Sequence, residues 1–279
     1  MNCFGINLWN WISRLEEVEI SLIRKVSALG FTAVELPMTM ASIDKMDQIM
    51  DAIKEEDLAV SFCLSMPMER DISSDDEATR NRAIQYLNDC LDTGGKYGVT
   101  TLSGAFYGGG GKRHFLPEQD KQREWDYAVR GIKKIAERAK KQGIFLGLEP
   151  LNRYRTSIVN TIDQGLRMVD DIGMNNVGIL FDTYQANIEE TDMLQALEKV
   201  LQREKLIHFH ASANNRGAPG TGHILWESLA FLLKQYEYAG HITMETFYPK
   251  GPDPSFYQLA ENQDVLAQTG IKNMKRIFS

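Results

Sequence analysis

The sequence predicts a (β/α)8 barrel of the TIM type, folded as one domain over residues 1–279, and three observations carry that expectation. First, a unit recurs along the chain: an amphipathic stretch, a glycine, then a short apolar run. It reads ALG-FTAVEL at 28–36, KYG-VTTLSGAF at 96–106, KQG-IFLGLEPL at 141–151, DIGMNN-VGILFDTY at 171–184 and YAG-HITMETFY at 238–248. Second, three further apolar runs bring the strand candidates to eight, and the eight strand–helix units use up the chain. Third, no linker rich in proline, glycine or serine and no shift in composition marks a second domain.

Taken in order, CFGINLW at 3–9 is the first strand. Leu15, Val18, Leu22, Val26 and Leu29 then share one face of a helix over 15–29. FTAVEL, ending at 36, and LAVSFCLSM at 58–66 are the second and third strands. Each is too short for a helix and rich in Val, Leu and Phe, as strands buried on both faces are. The glycine of each repeat is the residue just past a helix, where a left-handed backbone meets no Cβ. The fourth strand, VTTLSGAF, leads into the loop YGGGGKRHF at 107–115, and the charges along 118–141 read as a solvated helix face. After the fifth strand, Asn160 is placed to cap a helix carrying Ile162, Leu166 and Val169. After the sixth, Thr191 is placed to cap one carrying Leu194, Leu197 and Leu201. KLIHFHASA at 205–213 and HITMETFY close the set. A doubly wound open sheet is the alternative, but no G-x-G-x-x-G follows the first strand.

Composition sets outer limits. Hydrophobic residues at 43% and charged residues at 25% describe an ordinary globular chain, which excludes collagen, long disorder and a disulfide mini-protein. A net charge of −7 argues against binding duplex nucleic acid. No apolar run approaches the roughly 20 residues of a membrane span. The N-terminal segment lacks a basic start and a continuous apolar core, with acids already at Glu16 and Glu17, so it does not read as a signal peptide. Cys3, Cys63 and Cys90 lack CxxC spacing, which suits a reduced, cytoplasmic setting. Cys3 and Cys63 lie in strands and are expected as small core residues.

In a barrel of this kind the informative polar residues are those at the C-terminal ends of strands. Glu149, Asp182, His210 and Glu245 end strands five, six, seven and eight. Three carboxylates on one mouth repel one another unless a cation neutralises them. An oxygen-rich set with one imidazole suits Mn²⁺, Mg²⁺ or Co²⁺ better than structural zinc. Singly, each has a plainer reading: Asp182 as a helix cap, His210 as a bonded core residue. Four on consecutive strands are harder to explain that way. His208, two residues before His210, points to the same side one layer deeper, as support or core filling.

At these residues the chain resembles the xylose-isomerase-like superfamily, and within it the ketose 3-epimerases acting on tagatose or psicose (allulose). The segments that carry the likeness are LEPLNRY at 148–154, DTYQANIEE at 182–190, HFHASANNRGAPGTGHILW at 208–226 and METF at 244–247. The resemblance implies a metal-dependent barrel, often dimeric or tetrameric, with Glu149, Asp182, His210 and Glu245 as metal ligands. It implies Glu149 and Glu245 as the catalytic acid and base, working through a metal-stabilised enediolate, and Arg216 as a substrate contact. Three positions depart from the family pattern. Arg155 replaces a second glutamate, Gln185 replaces a histidine, and Ala213 replaces a glutamate. The first two positions normally touch the sugar, so part of the substrate shell is rewritten. Arg155 either binds an anionic group on the substrate or pairs with a neighbouring acid.

Other readings use the same residues: an aldose–ketose isomerase, a lyase or dehydratase, or a non-catalytic sugar-binding barrel. Repair endonucleases of the superfamily use more histidine ligands than this chain supplies. Weaker signals remain. Glu35, ending the second strand, is expected near the substrate or, preferably, supporting the site. His114 in the glycine loop is a further candidate substrate contact. That loop is read as a mobile lid, or as a phosphate cradle beside Lys112 and Arg113. Trp9, Trp11 and Trp226 are candidate pocket walls.

Overall fold

The structure, a computed structural model, describes residues 3–251, 253 and 255–279. Its eight parallel strands close in sequence order: β1 (Cys3–Asn7), β2 (Ala33–Pro37), β3 (Ala59–Ser65), β4 (Thr101–Ala105), β5 (Phe145–Leu148), β6 (Val177–Asp182), β7 (Leu206–Ala211) and β8 (His241–Met244). β1 pairs with β8, so no edge is left open. The helices are α1 (Ile20–Ala28), α2 (Met46–Glu55), α3 (Glu77–Lys96), α4 (Glu118–Lys141), α5 (Ile162–Ile172), α6 (Thr183–Glu189), α7 (Met193–Gln202), α8 (Trp226–Gln235) and α9 (Gln263–Phe278).

Alternation along β7 explains how one strand serves two layers. Phe209 faces outward, where it stacks on Phe181 of β6 at 5.8 Å and meets Phe278 of α9 at 6.2 Å. His208 and His210 face inward and are 1% and 0% exposed. Register fixes their neighbours. Asn7 lies beside Glu35, and Glu35 beside Ser61, so three strands contribute polar groups at one level. Asp182 lies beside His210, one strand over.

Local details depart from expectation in instructive ways. The helix expected over 15–29 is two pieces, a single turn at Leu15–Glu17 and then α1. Val18 adopts an extended backbone between them, yet both Leu15 and Val18 are fully buried. Burial was legible from spacing, whereas continuity was not. The cap of α5 is Thr161, not Asn160, and it forms a capping box with Gln164. Asn160 instead spends its amide on the carbonyls of Leu151 and Thr156, at 2.7 and 2.9 Å. Likewise Asp192, not Thr191, caps α7, accepting from Leu194 and Gln195 N–H at 3.0 Å each. Gly30, Gly98, Gly143 and Gly173 take the left-handed conformation expected after a helix. In the fifth repeat α8 stops at Gln235, and Glu237 (φ 52°) makes that turn in place of Gly240. Cys63 is a core residue at 1% exposure, but Cys3, at the start of β1, is only partly buried.

Candidate active site

Each acidic residue at the mouth is placed by a strand end. The Glu149 N–H donates to Gly104 O of β4 at 3.2 Å, and its carbonyl accepts from the Tyr107 hydroxyl at 2.9 Å. Asp182 ends β6 and also caps α6, Oδ1 accepting from Tyr184 N–H at 2.6 Å. The plain capping reading therefore applies to one of its oxygens while Oδ2 faces the mouth. The Glu245 N–H donates to Ala211 O of β7 at 3.1 Å.

These placements bring Glu149, Asp182, His210 and Glu245 together. One ligand atom from each lies within 4.8 Å of all the others, and the side chains are 6%, 3%, 0% and 2% exposed respectively. His210 Nδ1 is buried, 3.3 Å from Glu245 Oε1, and aligned for no hydrogen bond. A lone imidazole nitrogen aimed among three carboxylates is the donor set that a hard divalent cation accepts. These residues fit such an ion.

Electrostatics separates the carboxylates. Burial, then Glu245 and Asp182, push the Glu149 carboxyl well above the ordinary carboxylate range. Asp182 is raised by burial, which Arg216 opposes. Glu245 is held low: burial would raise it, but His210 and Arg216 outweigh that.

Arg216 is the buried cation at this mouth among the described residues. Its backbone is left-handed (φ 62°) and its side chain buried, with NH1 2.7 Å from Asp182 Oδ2 and 2.9 Å from Glu245 Oε2. Its other nitrogens reach Asp253 Oδ2 at 3.0–3.1 Å, and the guanidinium lies 4.0 Å over the Tyr184 ring. Arg155 lines the same mouth, 3.7 Å from Asp253 Oδ1, with its side chain 41% exposed. Gln185 is buried there, its Oε1 accepting from Asn152 N–H and Nδ2 at 3.0 and 2.6 Å. Trp9 stacks on Phe247 at 5.5 Å to form an aromatic wall. Trp11 and Trp226 do not join it: their indole N–H groups donate to Asp264 and to Thr221 O.

Two expected substrate contacts lie elsewhere. His114 is exposed and lines a groove with Trp125, Gln164 and Arg167 on the outer helices. Glu35 is fully buried beneath the mouth, and its two oxygens meet Asn7, Ser61, His208 and His210. Support of the site, the preferred reading, agrees with that placement; contact with substrate does not. Burial would raise the Glu35 carboxyl, but His210 and His208 hold it well below the ordinary range.

The glycine loop is neither a phosphate cradle nor free. Gly109, Gly110 and Gly111 N–H groups donate to Asp71 Oδ1, Met66 O and Arg155 O. Lys112 is buried between Asp71 and Glu124 at 2.9 and 2.6 Å, so it offers no charge to a ligand. Sequence reasoning missed Asn7, Asn152 and Asp253. Register with Glu35 could have suggested Asn7; nothing local marks Asp253.

Comparison with known proteins follows the same line. Residues 23–276 match the profile of the family described as "Xylose isomerase-like TIM barrel". The D-psicose 3-epimerase of Enterocloster bolteae is 30% identical over 253 residues, covering 89% of this chain and 83% of that one. The L-ribulose 3-epimerase of Mesorhizobium japonicum is 30% identical over 241 residues, covering 86% and 79%. Among solved structures, D-allulose 3-epimerase from Methylomonas sp. in complex with D-allulose superposes with a TM-score of 0.89. It has 26% identity and covers 99% of this chain and 97% of its own.

Proposed function

The chain belongs to the xylose isomerase-like TIM barrel family, and from that premise we propose that it is a divalent-metal-dependent isomerase inverting C3 of a ketose or ketose derivative. The observation that carries this reading is the cluster of Glu149, Asp182, His210 and Glu245, buried and mutually within 4.8 Å. Asp182 and His210 serve as ligands only; Glu149 and Glu245 serve as ligands and as the catalytic pair. Bound there, a divalent cation, Mn²⁺ in this reading and Mg²⁺ or Co²⁺ in its place, supplies positive charge that acidifies the C3 proton.

Inversion needs a base on one face of C3 and an acid on the other. Glu149 and Glu245 stand at the ends of β5 and β8, with β6 and β7 between them, and so approach from separated strands. One removes the C3 proton while the other returns one to the opposite face, and the roles exchange in the reverse reaction. Arg216 and Gln185 hold the sugar oxygens, and the Trp9–Phe247 wall shields the carbon face from water. Arg155 is assigned to an anionic or glycosidic substituent, competing with Asp253 for that guanidinium. Unchanged kcat/KM in Arg155→Ala on the best substrate ends that assignment.

We place the protein in the cytoplasm, with its three free cysteines reduced, as a homodimer or homotetramer. Among the described residues no helix is long and apolar enough to cross a membrane. Two relatives are named for D-psicose and L-ribulose, so these sugars head the test panel. With Mn²⁺, chromatography is expected to resolve the C3 epimer of one of them, and EDTA to stop its formation. An aldose product, or loss of water, contradicts the reading.

A further inference from the structure

We infer that Glu35 is the positioning residue of the metal centre, its carboxylate fixing His210 in the Nε2–H form so that the Nδ1 lone pair faces Glu149, Asp182 and Glu245. The inference rests on the metal reading above and adds a residue to it.

Glu35 sits on β2, across the barrel interior from β7, at 0% exposure. Its Oε2 accepts from Asn7 Nδ2 of β1 at 2.7 Å and lies 2.8 Å from His210 Nε2. Its Oε1 accepts from Ser61 Oγ of β3 at 3.1 Å and lies 2.9 Å from His208 Nε2. An ionised carboxylate only accepts, so the proton of the 2.8 Å contact belongs to His210 Nε2. An imidazole that binds a cation is neutral and carries one proton, which on Nε2 leaves Nδ1 as the lone pair. The opposite tautomer would press two lone pairs together at that distance between two fully buried side chains.

The observed surroundings of Nδ1 agree. It is buried and without a hydrogen-bond partner, in the cluster that offers three carboxylates. Partners from β1, β3 and β7 fix the Glu35 carboxylate, so it holds the ring's rotation as well as its tautomer. Glu35 is not among the four residues whose ligand atoms converge, and both its oxygens are engaged by Asn7, Ser61, His208 and His210, so it acts on the ion through His210.

The test measures Mn²⁺ affinity by calorimetry on metal-stripped wild type, Glu35→Leu and Glu35→Gln. It is paired with ¹⁵N shifts of His210 in the Mg²⁺-loaded wild type. Leucine removes the acceptor and is expected to weaken Mn²⁺ binding about 10- to 100-fold. Glutamine keeps an oxygen for the Nε2 proton and is expected to retain most of the affinity. The ¹⁵N spectrum is expected to place the proton on Nε2. A proton on Nδ1, or a Leu variant that binds as tightly as wild type, overturns the inference alone, and the spectrum decides even if the Leu variant does not fold. Equal losses in both variants assign the effect to charge and overturn the positioning role. Wild type that binds no Mn²⁺ overturns the metal reading itself, and this inference with it.

Discussion

Glu149 and Glu245 meet opposite electrostatic fates within one cluster. Burial and two neighbouring acids raise the first, while His210 and Arg216 hold the second low. Each is expected to be indispensable for turnover and dispensable for folding. Glu149→Gln and Glu245→Gln should each lower kcat by about 10²- to 10⁴-fold. Their circular dichroism should match wild type; retained turnover in both would remove the two residues from the catalytic pair.

His241 carries a separate prediction, about pH. Burial and the adjacent His208 push its pKa down to about 4, with Glu35 opposing. The unfolded chain, near pKa 6.5, therefore binds a proton that the folded chain refuses between about pH 6.5 and 4. The neutral ring's contribution is full above that window and is lost as pH falls through it. The ceiling is about 3 kcal/mol, reduced by screening at a partly exposed site. Urea unfolding at pH 7 and pH 5 should show wild type losing more stability than His241→Phe. Equal losses contradict this.

The four mouth residues were legible because each polar type interrupts an apolar run at a strand end. Glu35 shared that signal, and only its partners, Asn7, Ser61, His208 and His210, distinguish its role from theirs. Asp253 was illegible, since its importance comes from Arg216 reaching across 37 residues.

Among elements, the loop after β4 is the one whose character changed most. Four glycines and two basic residues suggested a mobile lid over the site. Lys112 instead enters a buried cluster with Asp71, Ser73 and Glu124, and the N–H groups of Gly109, Gly110 and Gly111 are spent on protein acceptors. Removing one side of a buried ion pair leaves the other uncompensated, so Lys112→Met should cost about 3–5 kcal/mol. Hydrogen exchange across 106–117 should accelerate. Unchanged protection would mean that the loop is held by its backbone contacts alone.

Helices α5 and α7 teach a different lesson. In both, neighbouring residues were each chemically competent to cap, Asn160 beside Thr161 and Thr191 beside Asp192. The choice went to the residue whose backbone left the helix in the extended region, which side-chain chemistry does not reveal. Strand positions were legible to within a few residues because burial on both faces demands continuous apolar runs.

At the scale of the whole molecule, the acidic balance and the barrel belong to one account. Closing eight strands in order sets Glu149, Asp182, His210 and Glu245 around a single mouth, with no element needed from outside the repeat. Repetition made the topology readable before any coordinate. The substrate was not readable, because Arg155 and Gln185 stand where the family resemblance leads one to expect a glutamate and a histidine, and Arg155 faces both Asp253 and the mouth.

The central claim is that this mouth exchanges one proton at C3 of a ketose under metal control. A panel of ketopentoses and ketohexoses in D₂O, with Mn²⁺-loaded protein and mass-resolved NMR of the products, tests it most directly. The account predicts one deuterium at C3 in both epimers, none at C1, and no exchange once a chelator is added. Deuterium at C1 with an aldose product, elimination of water, or exchange that persists without metal would contradict it.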